Sequence, residues 1–161
     1  MLVLNKIESD EYINKKCEEL REINNEYNNT TNKKEVFKRY KTFIEQVENV
    51  ELESKVYIHR SILAQACYNA GVCCIRINDF KSAIYYNNKS LEYDNKTSNV
   101  YYNLSLAYIG MLDIETALEY SKKAFELDNN DSQCKSLFNR LLKANTINPI
   151  LKELAESWEE W

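Results

Sequence analysis

The side chains that could carry out chemistry are few in this sequence, and they are not grouped for catalysis. His59 is the only histidine, and no Cys or Asp stands at the spacing of a catalytic triad or a metal site. The five cysteines include the adjacent pair Cys73 and Cys74 but no C-x-x-C motif, and no glycine-rich phosphate loop is present. These patterns favour a protein that is not an enzyme and that uses no metal or other cofactor.

Composition narrows the class of protein further. The 161 residues predict one domain, and only 2 Gly and 1 Pro leave little turn chemistry for a β-rich fold. A net charge of −4 argues against nucleic-acid binding, which needs a basic surface. No apolar run reaches the roughly 18 residues of a membrane span, and no secretion signal is visible. Free cysteines on a helix face behave as small apolar side chains, so we expect a reducing, cytoplasmic location.

The elements that position these residues repeat themselves. Ala83 and Ala117 are 34 residues apart, and each follows a turn that begins with an aspartate, Asp79 or Asp113. The same offset relates six further pairs: Cys67 and Tyr101, Ala70 and Leu104, Gly71 and Ser105, Cys74 and Tyr108, Ser90 and Ala124, and Leu91 and Phe125. Two short amphipathic helices in a 34-residue period are the signature of the tetratricopeptide repeat (TPR). The pattern therefore predicts an all-α solenoid whose small residues form the core between paired helices.

Three repeats are predicted, at about 17–49, 64–97 and 98–131. The first is degenerate, and the junction that follows it is longer than the period allows. A capping helix is predicted at about 132–145, because the last unit of a solenoid must cover its exposed apolar face. Asn148-Pro149 is expected to end that helix and to start a tail helix at about 149–161.

Three repeats, a long first junction and a trailing helix resemble the TPR domains of large immunophilins and related co-chaperones. Residues 63–84 are the most similar stretch, and the resemblance covers about 14–145. No β-rich half is present that could hold an isomerase domain. The resemblance implies a protein-binding module with a concave face.

In that family the concave face holds a carboxylate clamp for the acidic tail of cytosolic heat-shock chaperones. The resemblance places the first clamp pair on Arg21 and Asn25, and the third-helix asparagine on Asn69. The last pair, two cations in the family, falls on Asn99 and Asn103. Losing two charge-assisted hydrogen bonds weakens a tail peptide by about 3 kcal/mol. We therefore expect chaperone-tail binding to be weak.

Other positions could line the groove. Arg76 matches a position that is often basic in the family, and Arg140 and Lys143 on the capping helix could replace the missing charge. The inner faces of the second and third repeats are also apolar and aromatic. These residues are Tyr68, Val72 and Ile75 in one repeat, and Tyr102, Leu106 and Ile109 in the next. Such a surface suits an amphipathic helix or an extended peptide of a partner.

The predicted tail helix carries an apolar stripe that includes Leu154, Trp158 and Trp161. This stripe could pack on its own solenoid, bind a partner, or join two copies of the chain, since tryptophans often anchor interfaces. Its acidic opposite face argues against a membrane surface. The sequence thus predicts an adaptor that binds a peptide or partner helix. The alternative is an assembly subunit that forms homo-oligomers through this tail.

Overall fold

The computed structural model describes residues 2–52, 56–93 and 97–158, with side chains for 3–51, 56–93 and 97–147. Helices dominate this part of the chain, and two short strands accompany them. The elements in order are β1 (Leu2–Leu4), α1 (Lys6–Asn29), α2 (Lys33–Glu48), β2 (Val50–Leu52), α3 (Val56–Arg76), α4 (Phe80–Tyr93), α5 (Ser98–Gly110), α6 (Ile114–Leu127) and α7 (Ser132–Trp158).

The chain forms two compact units, Met1–Lys96 and Thr97–Trp161, where the sequence predicts a single domain. The boundary falls between the second and third predicted repeats. Repeat units of a solenoid pack against their sequence neighbours, so compactness is a local property in such folds. The first unit contains α1 to α4 with both strands, and the second contains α5, α6 and α7.

The two strands of the first unit are absent from the sequence prediction. They pair in parallel, with Leu2 opposite Val50, Val3 opposite Glu51 and Leu4 opposite Leu52. Each strand has three residues, which is too short to show the alternation by which a strand is recognised. The pair ties the start of the chain to the segment between α2 and α3.

Helix α1 begins earlier than the predicted first repeat, and its start has a clear cause. The Asn5 side chain accepts hydrogen bonds from the backbone of Ile7 and Glu8, and the Glu8 carboxylate accepts one from the Asn5 backbone. This capping box satisfies N–H groups that the first helical turn leaves unpaired. The α2 start is capped likewise by Asn32, whose side chain accepts from the Glu35 backbone at 3.3 Å.

A buried lysine connects α1 to α2. Lys16 is 7% exposed, and its Nζ donates to Glu19 and to Gln46, each at 2.7 Å. The same ammonium lies 5.3 Å from the centre of the Phe43 ring. A charge at this depth is tolerated because a carboxylate, an amide oxygen and an aromatic face surround it.

Helices α3 and α4 approach closely at small residues. Ala70, Gly71 and Ala83 are buried, and a methyl group added at Gly71 would lie 2.4 Å from Nδ2 of Asn87. Asn87 is itself fully buried and donates to the Ala83 carbonyl at 2.8 Å. The Ser90 hydroxyl donates to the Ala64 carbonyl of the facing helix at 2.8 Å. The predicted core role of these small residues is therefore what the structure shows.

The second unit uses the same contact between α5 and α6. Ser105 stands 34 positions after Gly71, and its hydroxyl donates to the Ala117 carbonyl at 2.8 Å. Helix α7 then closes this unit, with Leu137 and Leu141 buried against Ala117. Asp131 caps its start by accepting from the Gln133 backbone at 2.7 Å. The predicted capping helix is thus present.

The predicted break at Asn148-Pro149 is wrong, because α7 runs without interruption from Ser132 to Trp158. Proline removes one backbone hydrogen bond from a helix interior. Residues on both sides, such as Leu141, Lys143 and Lys152, favour helix and continue it through this position. Within the described ranges, no helix combines the length and apolarity that a membrane crossing needs.

The turns inside the two complete repeats share a conformation. Asn78 has φ of 59° and Leu112 has φ of 63°, and these two residues are also 34 positions apart. Both lie just after a helix, where a left-handed residue ends the helix. Asparagine tolerates this region, but a side chain such as leucine does not. Leu112 is also 85% exposed, so little burial offsets its strain.

Exchanging the residue types at these turns should move stability in opposite directions. We expect Leu112→Asn to raise the free energy of unfolding by about 1 kcal/mol, because it relieves left-handed strain. The matched change Asn78→Leu should lower it by a similar amount. Urea denaturation followed by circular dichroism measures both. Equal effects of the same sign would contradict this account of the turns.

Gly71→Ala should destabilise the first unit by about 1–3 kcal/mol, because its methyl group overlaps the Asn87 side chain. In an Asn87→Ala background the same change should have a much smaller effect, since the overlapping atoms are gone. Unfolding free energies of the four proteins in this double-mutant cycle provide the measurement. Additive effects would show that the contact between these two residues is not the cause.

The cysteine thiols of α3 lie in the core. Burial raises the pKa of Cys67, Cys73 and Cys74 to about 12 each. Burial also raises the pKa of Cys134, whereas Cys17 is only half-buried. Since the thiolate is the reactive form, the buried thiols are almost entirely protonated and inert near neutral pH.

We therefore expect iodoacetamide at about pH 8 to alkylate Cys17 in the folded protein and to spare the four buried thiols. Mass spectrometry of peptides from folded and urea-unfolded samples distinguishes the sites. The unfolded sample is the control, in which all five cysteines should react. Fast labelling of Cys73 or Cys74 in the folded protein would contradict the core placement.

Candidate functional site

A cavity of about 300 Å³ lies among α1, α2 and α3 in the first unit. Helices α1 and α3 contact each other, and α2 packs against both. The cavity is lined by Asn24, Tyr27, Asn28, Tyr40, Gln65, Tyr68, Asn69 and Val72. We call this set the amide groove, because four of its members carry carboxamide side chains.

A hydrogen-bond network organises the amide groove. Oδ1 of Asn24 accepts from the Tyr40 hydroxyl at 2.6 Å and from Nδ2 of Asn69 at 2.7 Å. Oδ1 of Asn69 in turn accepts from Nε2 of Gln65 at 3.1 Å. One side chain from each of α1, α2 and α3 thus meets at Asn24. The network fixes the relative position of the three helices and the orientation of two amides.

Tyr40 forms the base of this network. Its side chain is 1% exposed, and burial is the main cause that raises the pKa of its phenol. The hydroxyl therefore remains protonated at neutral pH and acts as the donor to Asn24. Beside it, the Lys33 ammonium lies 4.0 Å from the centre of the Tyr27 ring. That ammonium donates to the carbonyls of Tyr27 and Thr30, which end α1.

Three of the predicted groove residues line this cavity. Tyr68, Asn69 and Val72 are half-buried on α3 and belong to the amide groove. Arg76 is exposed one helical turn beyond Val72. The structure thus brings three of the residues predicted on α3 together in one cavity, and their role in binding stays a prediction.

The predicted clamp residues on α1 stay a prediction, and they are not part of this cavity. The resemblance places the clamp on Arg21 and Asn25, but both are exposed and neither lines the cavity. Asn24 is the residue that contacts Asn69. The residue four positions before it is Leu20, which is buried and carries no charge. The residue of α1 that joins Asn69 in this cavity is therefore Asn24, next to the predicted Asn25.

The predicted residues of the second unit have different surroundings. Asn103 is only 7% exposed, and its Nδ2 has no hydrogen-bond partner among the described residues. Asn99 is exposed. Tyr102 and Leu106 are half-buried and pack on the core of α6 and α7 formed by Ala117, Leu137 and Leu141. These two side chains therefore contribute to the core and are also partly accessible at the surface. Helical spacing alone does not distinguish these two roles.

The remaining predicted positions lie on α7. Arg140 and Lys143 are exposed there, next to the buried Leu141. The side chains of Leu154 and Trp158, and Trp161 as a whole, fall outside the described residues. The predicted tail interface therefore stays a prediction.

A second cavity of about 500 Å³ lies beside the two strands, and His59 is in its wall. Nε2 of His59 lies 2.9 Å from the Val47 carbonyl at the end of α2, so this side chain joins α3 to α2. Nearby, Glu48 accepts from Lys89 at 2.8 Å and from the Tyr93 hydroxyl at 2.7 Å. In the part of the chain that the structure describes, no three His, Cys, Asp or Glu side chains cluster as metal ligands would.

Comparisons with known proteins agree with this architecture. The profile of the tetratricopeptide repeat family matches residues 64–97 and 98–131. A search by sequence among curated proteins gives no match.

Solved structures share the fold at low sequence identity. The Hsp90 co-chaperone Cns1 from Saccharomyces cerevisiae has a TM-score of 0.76 and 16% identity, over 95% of this chain and 45% of Cns1. The C-terminal TPR-containing domain of a putative FK506-binding protein from Plasmodium falciparum has a TM-score of 0.72 and 19% identity, over 89% of this chain and 95% of that one.

The myosin chaperone UNC-45 from C. elegans, solved with an Hsp90 peptide, has a TM-score of 0.67 and 21% identity. That match covers 80% of this chain but only 13% of UNC-45. The chain thus spans a small part of the length of this chaperone.

These matches confirm the predicted all-α solenoid of paired helices and the resemblance to co-chaperone and immunophilin TPR domains. Residues 64–97 and 98–131 thus form two tetratricopeptide repeats.

Proposed function

We propose that the chain is a non-catalytic adaptor that holds a peptide or helix of a partner protein in the amide groove. The observation that carries this proposal is the cavity among α1, α2 and α3, whose polar groups are already fixed by a shared network. Preorganised side chains lose little freedom when a partner binds, and this favours affinity.

The neighbouring folds support a place among co-chaperones. UNC-45 binds an Hsp90 peptide in its solved structure, and Cns1 is an Hsp90 co-chaperone. A chaperone tail is therefore a candidate partner, bound weakly because the clamp is degenerate. The five cysteines are all free thiols, which suits the reducing conditions of the cytoplasm.

A display library of short random peptides, selected on the whole chain, tests this function. We expect enriched peptides whose affinity falls about tenfold with Tyr68→Ala or Asn69→Ala, because each change removes a groove contact. Isothermal titration calorimetry with synthetic copies of the peptides measures the dissociation constants.

Tyr57→Ala is the matched control for these variants. Tyr57 lies on the same helix as Tyr68 but is 84% exposed and does not line the cavity. This change should leave the dissociation constants as they are. A selection that enriches no peptide, or peptides that ignore both groove variants, would refute the adaptor proposal.

A further inference from the structure

The amide groove has an electrically neutral lining. Its residues are asparagine, glutamine, tyrosine and valine, whose side chains carry no charge near neutral pH. This is unusual for a site that would take the carboxylates of an acidic peptide, since such sites supply arginine or lysine. The kind of ligand that the cavity can bind is therefore determined by the hydrogen-bonding groups of its carboxamide side chains.

The network determines what those amides offer. Because Oδ1 of Asn24 already accepts two hydrogen bonds, its remaining polar atom is the amino group Nδ2, which can only donate. Gln65 uses Nε2 to donate to Asn69, which leaves its carbonyl oxygen Oε1 as an acceptor. Neither of these two atoms is used by the bonds of the network. A donor and an acceptor are thus both available, on α1 and on α3.

The positive charges near the groove are exposed or already engaged. The Arg39 guanidinium, which acts on the Tyr40 phenol, is paired with the Glu26 carboxylate. The Lys33 ammonium is engaged with the Tyr27 ring and with two backbone carbonyls at the end of α1. Arg21 and Arg76 are exposed, one helical turn from Asn24 and from Val72 respectively. Neither arginine lines the cavity. They can tolerate acidic residues that flank an anchor, but they do not neutralise a carboxylate inside the cavity.

We propose that the amide groove takes a carboxamide as its anchor and discriminates against the isosteric carboxylate. The anchor is an Asn or Gln side chain, or a main-chain amide, of an extended peptide. A carboxamide both accepts from Asn24 and donates to Gln65, which matches the two available atoms. A carboxylate would accept only, and it would lose water without gaining a cation. This inference rests on the proposed adaptor function and specifies its ligand.

Isosteric peptide pairs provide the test. Peptides enriched by the selection on the whole chain are synthesised with each Asn or Gln replaced in turn by Asp or Glu. In a second set, single main-chain amides are replaced by esters, so that the two sources of the carboxamide can be distinguished. We expect one replacement to lower the affinity of the peptide by about tenfold or more. It will belong to the side-chain set if an Asn or Gln is the anchor, and to the ester set if a main-chain amide is the anchor. Calorimetry at constant salt measures each pair.

A variant of the groove should reverse the preference for side-chain pairs. Gln65 is exposed, so Gln65→Lys adds a cation to the rim without disturbing the bond between Asn24 and Asn69. In this variant the acidic member of each pair should bind at least as tightly as the neutral one. Asn88→Lys is the matched control, because Asn88 is exposed on α4 and does not line the cavity. It should keep the original preference.

The outcomes separate the two proposals. Two results would overturn the carboxamide anchor and leave the adaptor function intact. In the first, peptides bind through the groove but prefer the carboxylate. In the second, they bind the carboxylate and the carboxamide equally well, and ester replacement does not change their affinity. A selection that yields no groove-dependent peptide would overturn both.

Discussion

The close approach of paired helices at small side chains is the constraint on which the rest of the structure depends. Between α3 and α4 the space at Gly71 is filled by Asn87, and no other side chain would fit at position 71 without displacing it. The corresponding contact between α5 and α6 uses Ser105, whose hydroxyl reaches the Ala117 carbonyl. In both pairs a polar side chain at the contact donates to an alanine carbonyl, from Asn87 Nδ2 to Ala83 and from the Ser105 hydroxyl to Ala117. Helix α3 contacts α4 and also packs against α1 and α2.

The pairing of the helices could be predicted from the sequence because the small residues at the helix contacts recur with a period of 34 residues. Ala83 and Ala117 are 34 positions apart, and both are fully buried where the pattern places them. The residues of the cavity were predicted only in part. Asn69 lines it, but Asn24 was not singled out, because the sequence pattern of α1 does not show which of its adjacent asparagines faces α3. Helical spacing also predicts the side of the helix on which a residue lies, but it does not predict how deeply the side chain is buried. The burial of Asn103 was missed for this reason.

The amide groove differs in kind from a clamp made of cations. In a clamp, long charged side chains meet the ligand, and salt weakens the attraction. Here short amides are held by one another and by Tyr40, so under the proposed function a ligand would be recognised by the direction of its hydrogen bonds. The fold shared with Cns1 and UNC-45 does not impose either chemistry. Leu20, four positions before Asn24, is buried and supplies no cation to the groove.

The strand pair at the start of the chain has a consequence for the opposite end of α1. β1 is bound to β2, and the Ser9 hydroxyl bonds to the Leu4 carbonyl at 3.1 Å, so the first turns of α1 are anchored there. Asn24 and Lys33 anchor the last turns. Helix α1 is therefore held near both of its ends. The strand pair thus helps to fix the helix that carries Asn24, although it lies at the other end of that helix.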